Sequence, residues 1–307
     1  MHTAYITHPD CLKHDMGKDH PECPERLRAI EDQLIASGLL QFLQHHDAPL
    51  ATFEQLARVH APHYIDKVKA TAPKEGLAYL DPDTAMNPYT LNAALRAAGA
   101  AVLATELVLE RKVENAFCAI RPPGHHAESA RAMGFCLFNN VAVGVAHAIE
   151  KFGLQRVAIV DFDVHHGNGT EEIFHDNTQV MLCSIFQHPF YPYCGAHSGN
   201  AHIVNVALPA GTDGAAFRSA VTEHWLPALE NFRPEMVFVS AGFDAHWEDD
   251  MSMFRLKDVD YAWVTQQIKD VAEKHAQRRI VSVLEGGYEL HALGRSVAAH
   301  IKILSGL

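Results

Sequence analysis

Seven short runs of this sequence are continuously apolar, and helical patterns separate most of them. The runs are AYIT (4–7), AFCAI (116–120), RVAIVDFD (156–163), VMLCSIF (180–186), IVNVAL (203–208), MVFVSAGF (236–243) and RIVSVLEGG (279–287). They lack the apolar–polar alternation of a strand with one wet face, and so predict strands buried on both faces of a parallel sheet. The segments between them read as helices. In ERLRAIEDQLIASG (25–38), Leu27, Ile30, Leu34 and Ile35 recur at helical spacing and Gly38 is the expected stop. LNAALRAAGAAVLATELVLE (91–110), VAVGVAHAIEKFG (141–153) and DVDYAWVTQQIKDVAEKHA (258–276) follow the same logic. The alternation predicts an α/β chain with a central parallel sheet and helices on both faces. No repeat, linker or low-complexity segment divides it, so a single domain over 1–307 is expected.

In such sheets the ligand site lies beyond the carboxyl ends of the strands. Four runs lead there into residues with chemistry: Arg121 to His126, Asp161 to His165, Phe243 to His246, and Tyr288. These segments are far apart in sequence and are predicted to converge at one sheet edge. Asp163 and His165 are two apart, and on an extended strand end they would point the same way. With Asp244 they offer two oxygens and one nitrogen, leaving an open position for water as catalytic zinc sites do. Zinc or iron fits this set. Taken alone, Asp163 and His165 could instead be a buried hydrogen-bonded pair, the less favoured reading. His125 and His126 follow a proline-stiffened turn and are candidates for acid–base work near neutrality. Tyr288, after two glycines, could donate to a developing oxyanion, although a tyrosine there is more often a packing residue.

Composition narrows the partners. The chain has 25 Lys and Arg against 37 Asp and Glu, a net charge of −12, which argues against nucleic acid and suits a cationic substrate. No apolar run is expected to reach bilayer-spanning length, and the amino terminus lacks a signal-peptide pattern, so no membrane partner and a cytoplasmic location are expected. Cys11, Cys23, Cys118, Cys136, Cys183 and Cys194 form no C-x-x-C pair, and Cys118 and Cys183 read as core residues. Among 22 histidines, His45 and His46 read as surface residues of a polar segment.

The set RPPGHHA, MGFCLFNN, DFDVHHGNGT, SAGFDAH and LEGGY, beginning from HPECPERL at 20–27, resembles the zinc-dependent histone deacetylases. It is most similar to their class II branch and to bacterial histone deacetylase-like and acetylpolyamine amidohydrolases. The resemblance implies the arginase–deacetylase α/β fold. It implies zinc on Asp163, His165 and Asp244, with His126 as general base and then acid. It implies His125 held by Asp161, Asn168 beside His126, and Tyr288 on the substrate carbonyl. Phe135 and Tyr191 would be tunnel walls and Gly134 a backbone acceptor for the substrate amide. Asp83 would grip the substrate at the rim, and Arg26 would belong to an internal acetate-release channel. A structural potassium ion would be held by Asp161, Asp163, His165, Ser184 and Ile185. Gly167 and Gly169 let the backbone fold tightly around the ions.

The implied activity is hydrolysis of acyl amides, acetyl first among them, on lysine side chains or on polyamines and other small amines, by metal-activated water. A homo-oligomer is compatible with it. Two other readings exist: an arginase-like binuclear ureohydrolase, for which 243–246 lacks a second aspartate, and an inactive acyl-lysine binder. The sequence departs from many relatives after Tyr191 (PYCG) and after Asp244 (AHWEDDMSMF). Tyr193 and Cys194 are expected to reshape the rim. Trp247, Glu248, Asp249 and Asp250 are expected to form an acidic, narrowed mouth.

Overall fold

The computed structural model describes residues 2–307. Its strands are β1 (Thr3–Thr7), β2 (Leu43–Asp47), β3 (Ala78–Asp81), β4 (Thr84–Met86), β5 (Asn115–Cys118), β6 (Val157–Asp161), β7 (Val180–Gln187), β8 (Ile203–Leu208), β9 (Met236–Ala241) and β10 (Ile280–Leu284). Eight of them form one sheet in the order β2-β1-β5-β10-β9-β6-β7-β8. Every pairing in it is parallel. β3 and β4 pair as a separate antiparallel hairpin. The four strands that lead into chemical residues, β5, β10, β9 and β6, are consecutive in the sheet. Parallel strands run the same way, so their four exits share one edge.

The apolar runs become strands because helices cover both faces. Every residue of β5, β6, β7, β9 and β10 is buried. Helices Glu25–Ala36, Asp258–His275 and Leu290–Ser305 pack in series, and Thr90–Leu109 packs on Asn140–Phe152. Local signals set their ends. The Asn139 side chain accepts from Ala142 N and starts one helix, and Gly153 stops it in the left-handed region at φ 70°.

Several expectations need correction. Ile35 is 58% exposed, because it sits one residue round from Leu34 and leaves the buried face of Leu27, Ile30 and Leu34. Helix Thr90–Leu109 is, by length and hydropathy, long enough to cross a bilayer. Two thirds of its apolar window is buried within the protein (67%), so the same residues serve as a core helix. His45 and His46 lie in β2, at the sheet edge beside β1, where one-sided exposure admits polar residues. The β3–β4 hairpin and helices Pro62–Thr71 and Leu290–Ser305 had no counterpart in the sequence reading. All six cysteines are free, with Cys118 and Cys183 buried as expected.

Candidate metal centre and active site

β6 ends at Asp161, so Asp163 and His165 lie beyond the strand rather than on it. Their side chains converge through a bend, not through the pleat. Asp163 Oδ1 accepts from His165 N at 2.9 Å, an Asx turn. Asp161 Oδ1 holds Asp163 N in the same way at 3.1 Å. Asp244 arrives from the loop after β9, and its Oδ1 accepts from Val164 N at 3.0 Å. His165 Nδ1 then lies 3.1 Å from Asp163 Oδ1 and 3.2 Å from Asp244 Oδ2. One donor atom of each residue falls within 4.8 Å of the others, and all three residues are buried. Among the described residues this is the one such grouping.

The donor set fits a metal ion. Asp244 Oδ2 is buried without a hydrogen-bond partner. Burial opposes charge on His165, yet Asp163 and Asp244 outweigh it and push the imidazole up to about 10. Two carboxylates aimed at one nitrogen thus attract a cation, and a metal competes with the proton for the same lone pair. Space is made by glycine: a Cβ on Gly242 would lie 2.0 Å from Asp163 Oδ2, and one on Gly286 would lie 2.0 Å from Asp244 Oδ2. Gly167 and Gly169 are equally tight, with a Cβ falling 2.5 Å from Asp161 Oδ2 and 2.2 Å from Ala127 O.

His125 and His126 sit side by side with ring centroids 4.1 Å apart. Their Nδ1 partners differ. His125 meets Asp161 Oδ2 at 3.0 Å, and His126 meets the Asn168 amide oxygen at 2.8 Å. Burial disfavours charge on both. At His125 the fields of Asp163 and Asp161 overcome it and hold the pKa well above the ordinary histidine value. At His126 burial wins, with His125 and His165 adding to it, and the pKa lies well below. The carboxylates of Asp163 and Asp161 therefore favour the protonated form of His125, and an amide partner leaves His126 favouring the neutral form.

The His125 turn depends on Glu285, a residue without an expected role from the sequence. Its Oε2 accepts from Gly124 N at 2.6 Å and His125 N at 3.1 Å, and its Oε1 accepts from Ser240 Oγ at 3.2 Å. Burial pushes its carboxyl up to about 7. A glutamate inside the apolar run VLEGG was the available signal, because an acid at a buried position needs such donors.

A cavity of about 310 Å³ opens on the centre. His126, His165 and Tyr288 reach it, Phe135, Phe190 and Tyr191 form aromatic walls, and Asp83, Gly134, Asp250 and Met251 complete it. Asp83 is committed to the wall: its carboxylate accepts from Gly134 N at 2.9 Å and from the Tyr191 hydroxyl at 3.0 Å. The Gly134 carbonyl accepts from Cys136 Sγ at 3.2 Å. Burial, with Asp244 and Asp163 nearby, keeps the Tyr288 phenol protonated, far above its ordinary pKa, although Arg26 opposes the shift. The Arg26 guanidinium lies 4.9 Å from the centroid of that ring. Ser184 Oγ is buried without a partner, beside Asp161 in the β6–β7 register. Ile185 is buried next to it. His166, the second histidine of the pair, turns to Glu171 Oε2 at 2.6 Å, and His246 turns to Asp258 at 3.2 Å.

The expected acidic mouth is met in part: Glu248, Asp249 and Asp250 line a depression that adjoins the cavity and shares Asp250, Met251 and Tyr288 with it. Trp247 and Tyr193 are exposed and do not line the cavity. Glu248 pairs with Arg295 at 2.8 Å. Asp249 is buried and hydrogen-bonded to backbone N–H groups. Only Asp250 of the four faces the cavity. Cys194 is exposed and does not line the cavity, and its Sγ lies 3.6 Å from His166 Nδ1. The sequence reading treated residues 247–250 as one charged patch, but burial and pairing give each acid a different task. It also missed Phe190 and Met251, which carry no signal beyond being apolar.

The Histone deacetylase domain family matches residues 20–304. The chain belongs to the histone deacetylase family. It is 38% identical over 295 residues to the histone deacetylase-like amidohydrolase of Pseudomonas aeruginosa, covering 94% of this chain and 77% of that one. It is 36% identical to a probable deacetylase of Archaeoglobus fulgidus, covering 94% and 82% respectively. It is also 36% identical to human polyamine deacetylase HDAC10, where the match spans all of this chain and 48% of the longer relative. The crystal structure of the HDA15 HD domain superimposes with a TM-score of 0.93 at 35% identity, over 99% of the deacetylase and 88% of that chain. The parallel α/β sheet expected from the strand pattern, and the deacetylase fold implied by the resemblance, are therefore both observed.

Proposed function

We propose that this deacetylase is a zinc-dependent amidohydrolase that removes acyl groups, acetyl first among them, from lysine side chains or from polyamines and other small amines. The observation that carries the reading is the convergence of Asp163, His165 and Asp244 at a cavity that His126 and Tyr288 also reach. When bound there, zinc supplies Lewis acidity towards the amide carbonyl and makes water a nucleophile near neutral pH.

The chain's own residues do the rest. Neutral His126 takes a proton from the attacking water at Nε2, since Nδ1 is engaged by Asn168. It later returns that proton to the departing amine. His125, held charged by Asp161, presents a positive field beside the developing oxyanion. Tyr288 donates its hydroxyl proton in a hydrogen bond to the same oxygen. Phe135, Phe190 and Tyr191 exclude water from the acyl-amine stem and strengthen each polar contact. A potassium ion held by Asp161, Asp163, Ser184 and the backbone oxygens of His165 and Ile185 would neutralise the surplus carboxylates, a role that the orphaned Ser184 hydroxyl supports.

The test is to load the purified protein with zinc and measure acetate release. The substrates are N-acetylated polyamines and acetyl-lysine peptides. Turnover of either class, lost on chelation and restored by zinc, is expected. Binding without any turnover would leave the inactive-binder reading standing.

A further inference from the structure

The catalytic tyrosine stands on a turn with little stiffness of its own. Gly286 and Gly287 precede it, and Gly287 adopts φ +119°, a conformation few other residues accept. Such a turn is placed by its anchors. On the inner side Gly286 N donates to Asp163 Oδ2 at 2.9 Å and Gly287 O accepts from Arg26 Nε at 2.6 Å. On the outer side Tyr288 N and Glu289 N donate to one oxygen, Asp249 Oδ2, at 2.6 and 3.1 Å. The other oxygen, Oδ1, accepts from Met251 N at 2.9 Å. Asp249 is only 5% exposed, and Met251 and Tyr288 both line the cavity.

We infer that Asp249 is a positioning residue: its carboxylate joins the loop at the cavity mouth to the Gly-Gly-Tyr turn and fixes where the Tyr288 phenol points. The inference rests on the reading of Tyr288 as the donor to the substrate carbonyl. Only a carboxylate serves all three amides, because it has acceptors on both oxygens and no N–H of its own. In Asp249→Asn, whichever way the amide turns, its NH₂ faces at least one backbone donor. Shape is kept while the clamp is broken on one side. The phenol remains but its hydroxyl is misplaced, so the loss falls on the transition state rather than on substrate binding.

The experiment is a double-mutant cycle on the zinc-loaded protein, joined to amide hydrogen exchange. Asp249→Asn should lower kcat about 10- to 100-fold, the range for partners that orient a working group. KM should change less than about threefold, with zinc content as in the parent. In a Tyr288→Phe background the same substitution should change kcat less than about twofold, because Asp249 then has no hydroxyl left to place. Exchange at the Tyr288 and Glu289 amides should be slow in the parent and fast in Asp249→Asn, while the sheet stays protected. An equal fall in kcat in both backgrounds, or none in either, would overturn the inference. If Asp249→Asn does not fold, the parent decides: unprotected amides at Tyr288 and Glu289 would sink the clamp. A parent that turns over no acetyl amide fails the functional reading instead, and the exchange result still judges the clamp.

Discussion

Two buried clusters of charge act on Tyr288, and they are opposite in sign. One holds Glu22 between Arg26, Arg121 and His14, all of them fully buried. Glu22 meets Arg26 at 3.0 Å, lies against the Arg121 guanidinium, and is 3.2 Å from His14 Nε2. Two guanidiniums exceed one carboxylate, and peptide carbonyls take up the surplus. Arg121 donates to Cys11 O and His14 O, and Arg26 to Gly287 O and Glu285 O. Although burial opposes it, Arg121 holds the Glu22 carboxyl well below the ordinary range. The other cluster has the reverse imbalance. Asp161, Asp163 and Asp244 crowd around His125 and His165, and Asp244 Oδ2 keeps no hydrogen-bond partner. Backbone N–H groups reach it, yet they do not saturate it. Here the surplus positive charge is met by the chain's own carbonyls, whereas the surplus of carboxylates is the setting for the proposed zinc.

The largest effect should follow from dismantling the anionic cluster. Asp244→Ala removes one of the three proposed ligands and the orphaned oxygen. Zinc measured by elemental analysis should fall far below one per chain, and turnover should drop below detection. Full zinc occupancy in this variant would show that the ion sits elsewhere and that the anionic cluster does not hold it.

The cationic cluster should fail in a different way. Glu22→Gln leaves Arg26 and Arg121 buried without a counter-charge, a change typically worth about 3–5 kcal/mol of stability. Urea unfolding should register that loss, while zinc content in the folded fraction should not move. Should stability stay within about 0.5 kcal/mol, the range of an ordinary surface change, the carbonyls alone would be carrying the guanidiniums.

A third buried polar position is neither cation-seeking nor paired with charge. His300 joins Thr265 Oγ1 at 2.6 Å to Ser282 Oγ at 2.9 Å and is fully buried, which holds its pKa down to about 3. In the unfolded chain the value returns to about 6.5, so the unfolded state takes up the proton first. The stability from this group is complete above about pH 6.5 and is lost as the pH falls towards about 3. At pH 5 the loss should be about 2 kcal/mol relative to pH 8. His300→Gln should flatten the stability curve over that range. An unchanged slope would place the acid sensitivity in the metal centre or in His60, which burial holds to about 4.

The parts of the molecule that sequence revealed were those where one residue type has one physical outcome. Unbroken apolar runs point to doubly covered strands, which holds for β5, β6, β9 and β10 but not for the half-exposed edge strand β8, so the meeting of four chemical exits at one sheet edge was legible while the strand order was not. Asp163, His165 and Asp244 were legible for the same reason, since ionisable groups at the ends of buried strands need a partner. The route by which they converge was not. An Asx turn and an extended strand both bring residues i and i+2 together, and only the backbone tells them apart. The acids of 247–250 were least legible. Side by side in sequence, one pairs with Arg295, one is buried as a clamp and one faces the cavity, and those fates depend on contacts 40 or so residues away.

The smallest effect should come from Asp250, the one acid of that run left at the cavity. It is exposed, and it shares the cavity lining with Asp83, whose oxygens are already engaged. Its influence on a bound amine therefore acts through water rather than through a made contact. Two unit charges about 7 Å apart in water attract by an amount that corresponds to about two- to threefold in affinity. Salt at 0.1 M screens such a pair over about 10 Å and removes much of that. Asp250→Asn should accordingly raise KM for a cationic acetylpolyamine about two- to threefold at low salt, and less at 0.15 M. It should leave kcat unchanged, and KM for an uncharged acetyl-amide unchanged, because neither Tyr288 nor the ligand set is touched. A rise of tenfold or more that survives salt would mean a direct, desolvated ion pair, and the cavity mouth would then belong with the two buried clusters rather than with the solvent. Identical KM values for charged and neutral substrates in both proteins would mean that substrate charge is not read at Asp250 at all.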